Sequence, residues 1–173
     1  MQPTHSSRRI LLPVKMWFVY LTLCLALFFN YIPTGHLPGV PDMVALVLAF
    51  WAVREPLKVG TGTGFIFGLL TDVGVGAAMG QHAFAYVLLA YAANELSRRV
   101  LWFPPVEQAL HVLPLLFLNQ VVMVLVMLLA GVSFPGWWMF FGCFLAALLW
   151  IPLHYLLLLP QYQPVERDEN RPI

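Results

Sequence analysis

Arg54-Glu55-Pro56-Leu57-Lys58 interrupts a long apolar stretch, with Met43 to Val53 on one side and Val59 to Leu70 on the other. Where its cations must lie decides how the chain is arranged. Working outward, Arg8, Arg9 and Lys15 precede the first apolar run, Arg98 and Arg99 follow the fourth, and Arg167 and Arg171 follow the sixth. With Arg54 and Lys58 these are all nine Lys and Arg residues, and they occupy every second gap between apolar segments. Translocating Lys and Arg is unfavourable, so short loops that hold them stay cytoplasmic. The pattern predicts six spans with both ends in the cytoplasm.

The 173 residues are 61% hydrophobic and 10% charged, with a mean hydropathy of +0.81, which places the chain among integral membrane proteins. Spans are expected at about 11–29, 40–53, 59–72, 82–97, 106–130 and 136–159. The expected architecture is an all-α, polytopic membrane protein: one six-helix domain over 1–159 with a short cytoplasmic N-terminus. A polar, Pro-interrupted and disordered cytoplasmic tail is expected over 160–173. The first segment has the basic flank of a signal peptide, but bulky Phe28, Phe29, Asn30 and Tyr31 offer no small-residue cleavage site, so retention is expected. Cys24 and Cys143 read as small buried hydrophobes rather than a redox or metal pair. The net charge of +1 is spread over short connections and argues against a nucleic-acid partner.

Trp17, Trp51 and Trp102 are expected as interfacial anchors at the cytoplasmic ends, and Trp137 and Trp138 at the opposite face. Trp150, deep in its segment, is expected to pack. Only eleven uncharged residues separate Asp42 from Arg54, about 16 Å of helix against a hydrocarbon core of about 30 Å. An earlier start near Leu37 to Val40, snorkelling of Arg54 or local thinning would absorb that mismatch. A re-entrant hairpin would instead leave Arg54, Glu55 and Lys58 at membrane depth, at roughly 2.5–3.5 kcal/mol per charge.

The third segment carries the strongest local pattern. Gly60, Gly64 and Gly68 recur every four residues along one helical face, and Asp72 continues the row. In lipid, helices associate over small residues and polar contacts. The face packs either on the protein's own helices or on a partner, and spacing alone does not choose between them. Past Asp72, Gly74, Gly76 and Gly80 predict a bend, around which Asp72, Gln81 and His82 should gather. Asp72 with His82 is the pair expected there, against the plainer reading that Asp72 and Gln81 cap helix ends. Asp42 after Pro41 reads as a helix cap. The fifth segment holds Asn119 and Gln120 at its centre and Gln108 and His111 nearer its cytoplasmic end; its buried amides are expected to bond across helices, and His154 is expected to be a satisfied core or interface histidine. No zinc signature, nucleophile elbow or carboxylate dyad with supporting groups is present, so neither catalysis nor a cofactor or metal is expected.

Pro41-Asp42, Trp51, Pro56, Val59-Gly60, Gly64-Phe65, Gly68-Leu69-Leu70 with Asp72, Gly80-Gln81-His82-Ala83, Tyr86, Ala90-Tyr91 and Gln108-Ala109 together resemble the rod shape-determining membrane protein MreD family, in its proteobacterial form. Gly68 to His82 is the most specific part. Met43 and the charged Arg54-Glu55 depart from the family pattern. The resemblance implies an inner-membrane component of the cell-elongation machinery, beside MreC and through it MreB, RodA and a penicillin-binding transpeptidase. It also implies a fold similar to the substrate-binding subunits of energy-coupling-factor transporters. Gly60, Gly64, Gly68 and Asp72, with Gly80, Gln81, His82 and Tyr86, would then form a packed helix pair that presents a scaffold surface. The alternative is a small-molecule-binding subunit of a transporter, using Asp72, Gln81 and His82 as its pocket.

Overall fold

The computed structural model describes residues 14–32, 39–134 and 136–161, and those residues form six α-helices. They are α1 (Met16–Tyr31), α2 (Met43–Arg54), α3 (Thr61–Val75), α4 (Gln81–Val100), α5 (Pro105–Leu129) and α6 (Phe141–Leu158). A 3-10 turn at Trp137–Phe140 leads into α6, and another at Leu159–Gln161 ends it. Two helical stretches, Pro105–Leu129 and Trp137–Gln161, are long and apolar enough to cross a membrane, each with 25 residues or about 37 Å of rise. The first three helices are shorter, and α4 ends in the charged residues Glu95, Arg98 and Arg99.

Local chemistry sets the ends. The Asp42 carboxylate accepts the Ala45 N–H at 3.0 Å, satisfying one of the donors that a helix start leaves open. Pro105 begins α5, where a missing N–H costs nothing. At the end of α3 the chain turns through Gly76 (φ 69°) and then Gly80 (φ 94°), left-handed positions that suit a residue without Cβ. The bend therefore comes later than the glycine content implied: α3 continues through Val75 before it stops.

The core is built around α2. No residue from Val44 to Val53 is more than 3% exposed, because α1, α4, α5 and α6 surround the helix. Trp51 donates from Nε1 to Thr22 Oγ1 at 2.9 Å, and Phe50 sits 5.5 Å from Trp150 between ring centroids. This enclosure corrects the expectation about mismatch. The helix starts at Met43, not near residue 40, and its short length of about 18 Å is set against protein rather than solvent or lipid. It also corrects Trp51, which is fully buried and not an interfacial anchor; Trp17, Trp102, Trp137 and Trp138 are exposed. Trp150 packs, at 1% exposure. Cys143 is buried, but Cys24 lies on the outward face of α1 and is exposed.

Pro160 and Gln161, the first residues of the expected tail, belong to the last 3-10 turn, with Gln161 buried. The rest of that tail, and Arg8, Arg9, Arg167 and Arg171, lie outside the described residues. Of the connections within the bundle, α3 against α4 is the most extensive, and α4 also packs on α2 and α5.

Candidate functional site

The α3–α4 seam is where glycine spacing becomes geometry. A Cβ built on Gly64 would sit 2.6 Å from the Tyr86 carbonyl oxygen, and one on Gly68 would strike Ala83 Cα and lie 2.6 Å from its nitrogen. Backbone meets backbone at both positions, so no side chain fits. Gly60 does not share this constraint. It is the N-cap of α3, and the nearest atom to its Cβ position is 3.7 Å away, on Asn94. The row of three thus works as a row of two, because the helices have separated by the first turn of α3.

Asp72 continues the row and fastens the same seam. Its carboxylate, at 1% exposure, accepts the backbone N–H groups of Gly80 (2.9 Å), His82 (2.8 Å) and Ala83 (3.3 Å). A residue of α3 therefore caps the N-terminus of α4, whose dipole presents positive charge there. His82 Nδ1 lies 2.8 Å from Asp72 Oδ1, so the ring and the cap share one carboxylate. The sequence placed both functions at Asp72 as competing readings; the structure combines them. Gln81 is buried beside them at 6% exposure.

Tyr86 joins this cluster to a second carboxylate. Its hydroxyl donates to Asp42, 2.7 Å from Oδ2 and 2.9 Å from Oδ1, and its ring stands 5.7 Å from that of His82. Asn30 completes the group from α1: its Nδ2 donates to Asp42 Oδ1 at 2.9 Å, and its Oδ1 accepts the Met43 N–H at 3.0 Å. Asp42 is the cap the sequence indicated and also a hub for α1, α2 and α4. Asp42 and Asp72 hold separate partners: the first accepts from Tyr86, Asn30 and Ala45, the second meets His82 and three backbone N–H groups. Asn30 was missed by sequence reasoning, since a polar residue at a helix end carries no sign of a partner twelve positions away. So were Tyr31, whose hydroxyl donates to the Leu70 carbonyl at 2.6 Å, and Gly74, which leaves room for that ring.

Other polar residues lie elsewhere. Asn94, with its amide turned to suit its neighbours, donates to the carbonyls of Ala52 (2.8 Å) and Val59 (3.2 Å), tying α4 to the α2–α3 connection. At the opposite end of α2, Arg54 Nη2 lies 3.4 Å from His154 Nε2 and the guanidinium sits over the Phe50 ring. Gln108 bonds the Phe103 carbonyl, a local contact rather than the cross-helix bond expected of the amides, and His111 bonds the Glu107 carbonyl. Asn119 Oδ1 and His154 Nδ1 are buried without a hydrogen-bond partner among the described residues, which departs from the expectation of satisfied groups.

Asp72 has its lone pairs committed to three backbone donors and a ring nitrogen. Among the described residues no three His, Cys, Asp or Glu side chains come together as metal ligands. Of the pocket expected at Asp72, Gln81 and His82, Asp72 and Gln81 are buried where α3 meets the start of α4, and His82 lines an open cleft.

Comparison with known proteins gives one consistent result. A family profile described as rod shape-determining protein MreD matches residues 8–159. The rod shape-determining protein MreD of Haemophilus influenzae is 31% identical over 152 residues, covering 84% of this chain and 91% of that protein. No solved structure matches. The seam glycines, the Asp72 cap and Tyr86 all lie inside the matched region, and the chain belongs to the rod shape-determining MreD family.

Proposed function

We propose that this protein is a non-catalytic scaffold of the cell-elongation machinery, seated in the bacterial inner membrane with all six helices crossing and both termini cytoplasmic. The observation that supports this reading most is the α3–α4 pair. Its inner faces are locked by backbone approach at Gly64 and Gly68 and by the Asp72 cap, while Phe65, Ile66, Val73, Phe84 and Tyr91 on the same helices remain exposed. A rigid apolar ridge of this kind suits a partner's membrane helix. The occupant proposed is the membrane helix of MreC, which would connect this chain to MreB, RodA and a penicillin-binding transpeptidase.

In this reading Gly64, Gly68, Asp72, Gly80, Gln81, His82 and Tyr86 act by fixing the angle and register of the ridge, and Gly60 by starting α3. The residues that touch the partner are the outward ones. Two short helices, α2 and α3, cross because the bundle encloses or flanks them, and the likeness in fold to energy-coupling-factor subunits belongs to the same proposal.

The test is complementation. Cells depleted of the protein and supplied with Gly64→Leu or Gly68→Leu at matched levels are expected to round up, and co-purification of MreC is expected to fall. Rods maintained at normal protein levels would remove the seam from the mechanism. A reporter fused after Lys58 is expected on the cytoplasmic side.

A further inference from the structure

A cleft of about 310 Å³ lies where the end of α1, the start of α2, α3, α4 and α5 approach one another. Asn30, Asp42, Thr71, His82 and Gln120 supply its polar wall, and Phe29, Val75 and Met123 part of its apolar wall. A narrower pocket of about 10 Å³ shares Asp42 and Gln120 and reaches Asn119.

The polar wall is rich in acceptors. Asp42 is its one fixed charge among the described residues, and Oδ2 of that carboxylate accepts only the Tyr86 hydroxyl there, leaving lone-pair capacity. The Thr71 hydroxyl donates its proton to the Phe67 carbonyl at 2.8 Å. His82 directs Nδ1 at the Asp72 carboxylate, and its ring also lines the cleft. Asn119 is 3% exposed and its Oδ1 has no partner among the described residues. An acceptor left bare in such a place is costly, and a donor that enters relieves it.

We infer that this cleft binds a protonated primary amine carried on a molecule with an apolar portion, the ammonium reaching Asp42 and its N–H groups distributed among the surrounding acceptors. Three N–H donors on one cation fit this wall; a quaternary ammonium, with none, does not. The same chemistry is found in the ethanolamine headgroup of a lipid and in a free alkylamine. The lipid source rests on the membrane placement proposed above, whereas the free amine does not.

The experiment uses the full chain, purified and exchanged into nanodiscs of phosphatidylethanolamine or of phosphatidylcholine, with retained lipid counted by native mass spectrometry. In parallel, the thermal midpoint is followed in detergent with added propylamine or tetramethylammonium. Phosphatidylethanolamine is expected to be retained over phosphatidylcholine by about tenfold, and propylamine but not tetramethylammonium to raise the midpoint. Asp42→Asn is expected to cut both effects. Because Asp42 also caps α2, Val75→Trp serves as the second variant: Val75 is exposed at the cleft wall, so the indole should block entry while leaving the midpoint without amine unchanged. A response to propylamine with no lipid preference supports the ammonium site and assigns it a soluble occupant. Equal retention of both lipids together with no response to propylamine overturns the inference, and leaves the scaffold reading to stand or fall on cell shape.

Discussion

The α3–α4 and α5–α6 pairs are held in opposite ways. In α3–α4 the contact surface is backbone: Gly64 and Gly68 admit the main chain of Tyr86 and Ala83, and a buried carboxylate closes the end. In α5–α6 each helix carries an internal proline, Pro114 and Pro152, and polar atoms are left over: Asn119 Oδ1 on one helix, Trp150 Nε1 and His154 Nδ1 on the other. A backbone contact has no rotamers to adjust, so it defines one distance and one angle. Side-chain contacts can repack, so the second pair can absorb change. The comparison assigns precision to the first pair and bulk to the second.

The largest expected effect comes from forcing the rigid seam apart. Gly68→Leu should cost on the order of 3 kcal/mol or more, since the new side chain meets backbone that cannot swing away. Gly60→Ala, in the same row, should be almost neutral, and equal losses at both positions in thermal unfolding of the detergent-solubilised protein would contradict the seam as described.

Next in size is the cap. Asp72→Ala should lose about 2 kcal/mol, because three amides of the α4 start lose their acceptor. Hydrogen exchange of Gly80, His82 and Ala83 is the direct readout, and protection equal to wild type at those amides would mean that another group satisfies them.

Tyr86→Phe removes one hydrogen bond to a carboxylate and should cost about 1–2 kcal/mol while leaving the Asp72 amides protected. Loss of protection there as well would show that the two carboxylate clusters act as one unit.

The smallest change is expected on the tolerant side. Asn119→Leu removes an unpaired buried acceptor and should fall within about 0.5 kcal/mol of wild type, or stabilise slightly. A loss comparable with Asp72→Ala would show that Asn119 has a partner in the working protein and would erase the contrast between the pairs.

These differences also explain what could be read from the chain alone. The glycine row and the Asp72–His82 pairing were legible, because both depend on spacing within one helix and one short turn. That Gly60 drops out was not, since divergence of two helices is set by their crossing angle and leaves no mark on a four-residue period. The Asp42–Tyr86 bond spans 44 positions and needs the order in which helices pack. The burial of Trp51 failed for a related reason. In a water-soluble protein a helix apolar on every side is recognised as central, but here nearly every segment is apolar on every side, so the one that occupies the middle is not distinguished by composition. Cys24 was misjudged by the same loss of contrast.

The enclosed position of α2 also has a consequence for synthesis. Of the four helices that cover it, three, α4, α5 and α6, are translated after it. Until the ribosome has delivered them, this twelve-residue segment has neither the length to settle across a bilayer alone nor its final neighbours around it. Its enclosure is therefore complete only once α6 has been synthesised. A chain truncated before α6 would expose its own centre, a ready signal for a quality-control protease to act on.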